Sequence, residues 1–299
     1  MRRQVLGSTR GIALISVVWI AGLLAIMAAS FVSASRTEAR LARNQMENAK
    51  AEALADAGVQ RAALALLEVD PERVWKPDGR VYRFALGEGD VQVSIRDEEG
   101  KIDINEGSIL LLAGLLKAVG LDPEAAQAMA ERIGDYRDLD NDPEPFGAED
   151  PAYRAAGLAE GAADRPFMSE AELVRVLGMT QELYKRVRPH VTVHTRSDGF
   201  DPTRATRPVL KALPGITPEV VERLLEAGPS EDPLAAIDDE TLERVDLYWL
   251  PSREAMFTIH AVGRTLGGGT FTREAVIELA GRPEQPFLVY AWGRGIGDS

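Results

Sequence analysis

No cysteine occurs among the 299 residues, which excludes a disulfide framework, a thiolate nucleophile and a cysteine-held zinc. Histidine is nearly as scarce, at three, so oxygen atoms are the main means of holding any metal. Basic residues fall short of acidic ones, 34 against 47, and the resulting net charge of -13 repels phosphate backbones. Nucleic acid is therefore not an expected partner. The Gly-x-Ser-x-Gly elbow, the Walker loop, the dinucleotide fingerprint and His-Glu-x-x-His are missing too. His190 and His194 lie in "HVTVHT", which alternates like a strand and sets them too far apart to share a metal, and His260 falls within another predicted strand. Nothing in this inventory argues for catalysis.

Two further absences shape the N-terminal part. No charge interrupts the chain between Arg10 and Arg36, and no proline occurs before Pro71. Ile12 to Ser35 supplies roughly two dozen uncharged residues, enough as a helix for a hydrocarbon core about 30 Å thick. A cleavable secretory signal is the alternative, because Arg2, Arg3 and Arg10 make a basic leader and "MAASFVSAS" offers small residues for cleavage. Arg36, Arg40, Arg43 and Lys50 follow the apolar run as closely as the leader arginines precede it, so charge gives only a weak orientation signal. Beyond the run, Ala, Glu, Arg and Leu continue the helix, with Leu54, Gly58, Ala62, Ala65 and Leu66 on one face. The expectation is one helix of roughly sixty residues, half in lipid and half packed through small side chains.

After Pro71, "VYRFAL" and "DVQVSIRD" read as strands joined by a turn at Gly87 to Asp90, with Val91, Val93 and Ile95 on one face. Comparable strands return only in "MFTIHAVGRT", "FTREAVIELAG" and "FLVYAWGRG", so a sheet begun before residue 100 is interrupted by an insertion. "LGGGT" lacks the Lys-Ser/Thr of a phosphate loop and reads as a strand connection.

Within residues 105–253 the period is helical. "LLKAVGLDPEAAQAMAERI" and "VLKALPGITPEVVERLLEA" repeat one plan: apolar helix, glycine turn, a cap at Asp122 or Thr217, proline at Pro123 or Pro218, second helix. Two helical hairpins are predicted. "MSEAELVRVLGM" predicts another helix, with Ser169 and Glu172 at capping-box spacing.

The acidic stretch "DYRDLDNDPEPFGAED" carries the most specific chemistry. With Asp138 as first, Asp140 is third, Asp142 fifth and Glu149 twelfth, the carboxylate spacing of a calcium loop. Pro143 stands where an EF-hand requires glycine, so the loop supplies carboxylates without being an EF-hand. From spacing alone, a calcium loop and a solvated acidic loop both stand.

A basic leader ending in glycine, an apolar segment beginning at the next residue, and an amphipathic continuation resemble a type IV prepilin or type II secretion pseudopilin. Ser16, where most members carry glutamate at the fifth mature position, and the helical repeats with their acidic loop narrow the resemblance to the minor pseudopilin K family. "KIDINEGS" is similar to the family's lead-in to the first repeat, whereas "GFDPTRATRPVL" departs from the usual asparagine-containing lead-in to the second. The resemblance implies an α+β pilin-like fold: a long N-terminal helix packed on an antiparallel sheet, with a large all-α insertion of helix-hairpin-helix or SAM-like repeats. Its implied divisions are a leader at 1–11, the long helix at 12–70, sheet at 71–104, the insertion at 105–253 and the remaining strands at 254–299.

The resemblance also implies cleavage after Gly11 by a prepilin peptidase, methylation of Ile12, and a single-pass inner-membrane protein with its folded domain in the periplasm. The implied position is the tip of the secretion pseudopilus, initiating assembly with minor pseudopilins I and J and other secretion components. A tip subunit has no neighbour above it, and a carboxylate without a partner at Ser16 would be costly in lipid. Calcium is the implied ion, with Asp138, Asp140, Glu149 and Asp150 carried over and Asp135 and Asp142 beside them. The alternative functions are a membrane-anchored helix-hairpin-helix DNA-binding protein of the competence type, and a signal-anchored periplasmic hydrolase.

Overall fold

A computed structural model describes residues 10–70, 73–226, 237–238, 241–243, 246–249, 255–282 and 284–295. Residues 1–9 of the expected leader lie outside the described residues, as do parts of 227–254. Helix α1 (Arg10–Leu66) runs unbroken for 57 residues, as its alanine content and lack of proline predict. Its first half stands clear of the rest of the chain, with Leu14, Trp19 and Phe31 exposed, and it is long and apolar enough to cross a membrane. From Ala51 the helix docks, burying Ala51, Ala55, Val59, Ala62, Ala63 and Ala65.

Strands β1 (Asp78–Leu86) and β2 (Gly89–Asp97) form an antiparallel hairpin. The connection is shorter than the sequence suggests: Gly87, at φ 58°, turns the chain with Glu88, and Gly89 and Asp90 already belong to β2. Gly89 lies under the helix, where a Cβ would stand 2.3 Å from Leu54 Cδ1. Val91, Val93 and Ile95 face α1 and are fully buried.

The insertion then begins. Strand β3 (Ile102–Asp103) leads into α2 (Ile109–Ala118), capped by Ser108, and α3 (Pro123–Arg137), capped by Asp122. Gly120, at φ 105°, closes the first hairpin in a Schellman arrangement: its N–H donates to Lys117 and that of Leu121 to Leu116. Next come α4 (Asp150–Ala155) and α5 (Gln181–Val187), the latter capped by Thr180 and not anticipated from the sequence. "MSEAELVRVLGM" forms only a 3-10 turn at Glu170–Arg175; Ser169 makes no side-chain cap, and Glu172 accepts instead from the Met168 N–H. "HVTVHT" is also mostly not strand. Only β4 (Val191–Thr192) pairs there, in parallel with β3, and His190 bonds Thr206.

The second hairpin is unlike the first. Helix α6 (Arg207–Leu210) is a single turn before α7 (Pro218–Glu226), because Pro208 starts it and Pro214 disfavours helix at Leu213. Its return segment packs tightly on α2, where a Cβ on Gly114 would stand 2.3 Å from the Ala212 carbonyl oxygen.

Strands β5 (Met256–Thr265), β6 (Thr270–Arg282) and β7 (Gln285–Arg294) complete an antiparallel sheet of order β1-β2-β5-β6-β7. β2 pairs directly with β5 along Gly89–Thr265 to Asp97–Phe257, so the insertion leaves and rejoins between neighbouring strands. α1 lies across β2, β5 and β6, and a core including Val59, Val93, Ile259 and Ile277 fills that interface. A separate core, including Leu115, Ile133, Tyr153 and Leu173, fills the insertion.

Polar clasps join the two bodies. Arg188 donates to both oxygens of Glu274 on β6, at 2.5 and 2.6 Å; buried Glu98 accepts from Lys101 and from Thr258 on β5; and Arg204 pairs with Asp97 at the end of β2. Arg273 reaches α1, so its neighbour Glu274 points to the opposite face. The Arg188 clasp therefore sits on the side of the sheet away from α1.

Candidate metal site and membrane anchor

Helix α3 ends at Arg137 and α4 begins at Asp150, leaving a loop of residues 138–149 between two helices. Glu149 occupies the N-cap of α4 but makes no capping bond. Its carboxylate turns inward instead: the residue is 3% exposed and neither side-chain oxygen has a partner. Asp135, fully buried on the last turns of α3, accepts from the Glu144 N–H through Oδ1, while Oδ2 is unpartnered. Gly147 permits this, since a Cβ there would stand 1.9 Å from Asp135 Oδ2. Glu131 holds the loop by accepting from the Phe146 N–H at 2.6 Å.

Side-chain oxygens of Asp138, Asp140 and Glu149 all lie within 4.8 Å of one another. Asp140 also accepts from the Asp142 N–H at 3.0 Å. The other sequence candidates are placed differently. Asp142 is exposed, and Asp150 faces Arg154 at 3.6 Å, outside the converging group. Sequence reasoning missed Asp164. It adopts φ 50°, a conformation that Asp tolerates better than most residues, and its Oδ1 is buried without a partner. Its charge is among those acting on Asp138 and Glu149, and no spacing rule connects it to the 138–149 loop.

Burial, followed by the charges of Asp135, Asp138, Asp164 and Asp140, pushes the Glu149 carboxyl up to about 7. Burial and then Asp140 and Asp135 push Asp138 up as well. The charge of the adjacent Arg137 opposes the shift at Asp138, while its hydrogen bonds go to the carbonyls of Ile104 and Gly107. Mutually repelling carboxylates with buried, unpartnered oxygens suit a hard divalent cation. Ligand oxygens about 2.3–2.6 Å from a calcium ion lie within about 5 Å of each other, a spread that the triad matches.

At the other end of the molecule, Gly11 and Ile12 fall within α1, and Ser16 lies on its exposed apolar part. The phosphate-clamp reading meets a physical obstacle at the first hairpin, where the turn amides of Gly120 and Leu121 are consumed by the Schellman bonds.

Comparison with known proteins bears on the whole arrangement. A family model described as "Type II secretion system (T2SS), protein K" matches residues 92–196, from β2 to just beyond β4, including the acidic loop. Type II secretion system protein K of Pseudomonas aeruginosa is 27% identical over 241 residues, covering 73% of this chain and 72% of that protein. Its counterpart in Klebsiella pneumoniae is 25% identical over 310 residues, covering 91% and 93%. A chain in the crystal structure of the GspK-GspI-GspJ complex from enterotoxigenic Escherichia coli superposes with a TM-score of 0.65, at 20% identity, over 88% of this chain and 99% of that one. That likeness establishes the shared fold. The DNA-binding alternative finds no support in these relatives. With a long helix on an antiparallel sheet and an insertion between paired strands, the chain is similar along most of its length to type II secretion system protein K, and residues 92–196 match that family's model.

Proposed function

We propose that this chain is a minor pseudopilin at the tip of the type II secretion pseudopilus, where it initiates assembly for export of folded proteins. The observation that carries the reading is α1 itself: one helix whose first half is bare and apolar and whose second half is the spine of the folded domain. Such a helix couples a membrane anchor rigidly to what it carries. The function is assembly, not bond making, and the partners are the two smaller minor pseudopilins that the solved complex names as GspI and GspJ. The folded domain lies in the periplasm, with α1 anchored in the inner membrane.

Calcium is the ion of the 138–149 loop, held by Asp138, Asp140 and Glu149 with Asp135 behind them. Its contribution is charge compensation, which keeps α3 and α4 together across an otherwise repulsive loop. The hairpins are helix-hairpin-helix units used for packing, as the Gly114 contact with Ala212 illustrates. The deciding test is the intact mass of the protein from membranes with and without a prepilin peptidase. Loss of Met1 to Gly11 with methylation of Ile12 is expected; a chain left uncut, or cut near Ser33 to Ser35, refutes the reading.

A further inference from the structure

Between the apolar run and the folded body, α1 is a bare stalk. Ser35 closes the run, and the body first meets the helix at Glu47, where the turn between β5 and β6 packs Gly267 and Gly269 against it. Every residue from 36 to 46 is exposed. The stalk also departs from the charge of the whole chain. Acidic residues outnumber basic ones overall, 47 to 34, yet here Arg36, Arg40 and Arg43 stand against Glu38 alone. With 3.6 residues per turn, the three arginines fall within about 60° of one another on one face, and Glu38 lies on the far side. Among the described residues, no carboxylate pairs with any of the three. Lys50, the next basic residue, pairs with Glu47 at 3.1 Å.

We infer that Arg36, Arg40 and Arg43 form a binding stripe for the phosphates of anionic lipid headgroups, an assignment that rests on the membrane anchor proposed above. Height argues for it. At a rise of about 1.5 Å per residue, the three stand about 1.5, 7.5 and 12 Å beyond Ser35, and the headgroup layer is about 5–7 Å deep on each side of the hydrocarbon. Helical side chains lean toward the N-terminus, which here is the bilayer side. Arg40 and Arg43 therefore reach back toward the headgroups, as long basic side chains near the end of a span do. Guanidinium forks match phosphate oxygens two at a time.

Orientation adds a second argument. Basic residues close to a span oppose delivery of that flank across the membrane, so three arginines beside the folded domain carry a cost that phosphate contacts offset. Because they share one face, those contacts fix the depth and rotation of α1, and with them how the body is presented above the bilayer. The surface potential of anionic lipid fades within a Debye length of about 8 Å. The contribution accordingly falls from Arg36 and Arg40 to Arg43 and vanishes at Lys50, about 22 Å up.

The test is native mass spectrometry of the full chain released from bilayers of equal phosphatidylglycerol and phosphatidylcholine with matched acyl chains, weighing the lipid that stays bound. Arg2, Arg3 and Arg10 of the leader are common to all variants, so the comparisons isolate the stalk. The parent is expected to prefer phosphatidylglycerol, and Arg36→Gln, Arg40→Gln and Arg43→Gln together should cut that preference by about tenfold or more. Arg36→Lys, Arg40→Lys and Arg43→Lys together should keep most of it. Singly, Arg36→Gln and Arg40→Gln should cost more than Arg43→Gln, and Lys50→Gln should change nothing. Melting temperatures in detergent should stay the same, because these side chains lie outside the packed body. Equal preference in the parent and the triple glutamine variant would overturn the stripe. So would uptake of millimolar inorganic phosphate with no discrimination between the two lipids. Loss of co-purification with the smaller pseudopilins in the triple glutamine variant, at an unchanged lipid ratio, would assign the arginines to a protein partner instead. Each of these leaves the functional reading intact where the chain is still cut after Gly11; a chain that prefers anionic lipid but is not cut there keeps the stripe and loses the function.

Discussion

Arg273 donates through Nε to Asp56 at 2.6 Å, joining β6 to α1 across 217 positions of sequence. Its Nη2 reaches Glu52 at the same distance, and Phe271 and Trp292 flank the guanidinium. Arg273→Ala should therefore lower stability by about 2 kcal/mol, combining lost charge-assisted bonds with lost packing. Solvent screening of the two part-exposed carboxylates holds the figure near the low end. Arg273→Met should recover part of it. Denaturant unfolding of the full chain in detergent gives the values, and a loss within about 0.5 kcal/mol, the range of ordinary surface changes, would contradict the clamp.

Close approach of α1 to the sheet makes a second prediction. A methyl on Gly263 would meet the Ala51 carbonyl oxygen at 2.3 Å and the Ala55 nitrogen at 2.7 Å, both helix backbone that cannot turn aside. Gly263→Ala should destabilise by about 1–3 kcal/mol through overpacking. Gly58→Ala is a balance between a helix-propensity gain of about 1 kcal/mol and contacts of 2.8 Å with Val91 and 3.0 Å with Ala261; it should be milder. Gly22→Ala, with nothing within 4 Å, is the control. Equal midpoints for all three variants would mean that the helix is not seated this closely.

The acidic loop predicts opposite effects with and without calcium. Asp138→Asn combined with Glu149→Gln relieves repulsion among unpartnered carboxylates, so the metal-free variant should melt no lower than the unsubstituted protein. It should also lose the calcium-induced rise in melting temperature, which for a single site at a hundredfold excess over Kd corresponds to about 2.7 kcal/mol. Thermal melts in chelator and in millimolar calcium separate the two. A variant that responds to calcium like the parent removes the site from these residues.

Much of this was legible in the chain. Uninterrupted α1, the buried face of β2 and a sheet split by an insertion follow from periodicity and the lack of early proline, which are local signals. Asp138, Asp140 and Glu149 could be singled out because carboxylate spacing in a loop is local too. Some misses were local, as at α5 and at the uncapped Ser169; others depended on distant contacts. The pairing of β4 with β3 is two residues long and gives no periodic signal, and the Arg188–Glu274 clasp joins groups 86 positions apart. Asp164 comes to the acidic loop through a backbone conformation, and the requirement for glycine at 147 becomes visible only once Asp135 Oδ2 occupies the space of its Cβ.

The raised Glu149 carboxyl fixes the sign of a pH effect. Its ordinary value is 4.5 and its folded value about 7, so between these limits the unfolded chain ionises while the folded one retains its proton. Stability contributed by this group is therefore present below about pH 4.5, declines as pH rises, and is fully lost above about 7. His190 acts in the opposite sense. Burial, followed by the charges of Arg96 and Lys101, lowers it to about 4, so its contribution is lost as pH falls from about 6.5 toward 4. Comparing the parent with Glu149→Gln isolates the carboxyl, because His190 is common to both. In chelator, the parent should lose stability relative to the variant between pH 5 and 7.5. The proposed calcium would bind the ionised form and should reverse that slope. A parent-minus-variant difference that stays flat across this range in chelator would show that Glu149 is not held in the repulsive, desolvated setting described here.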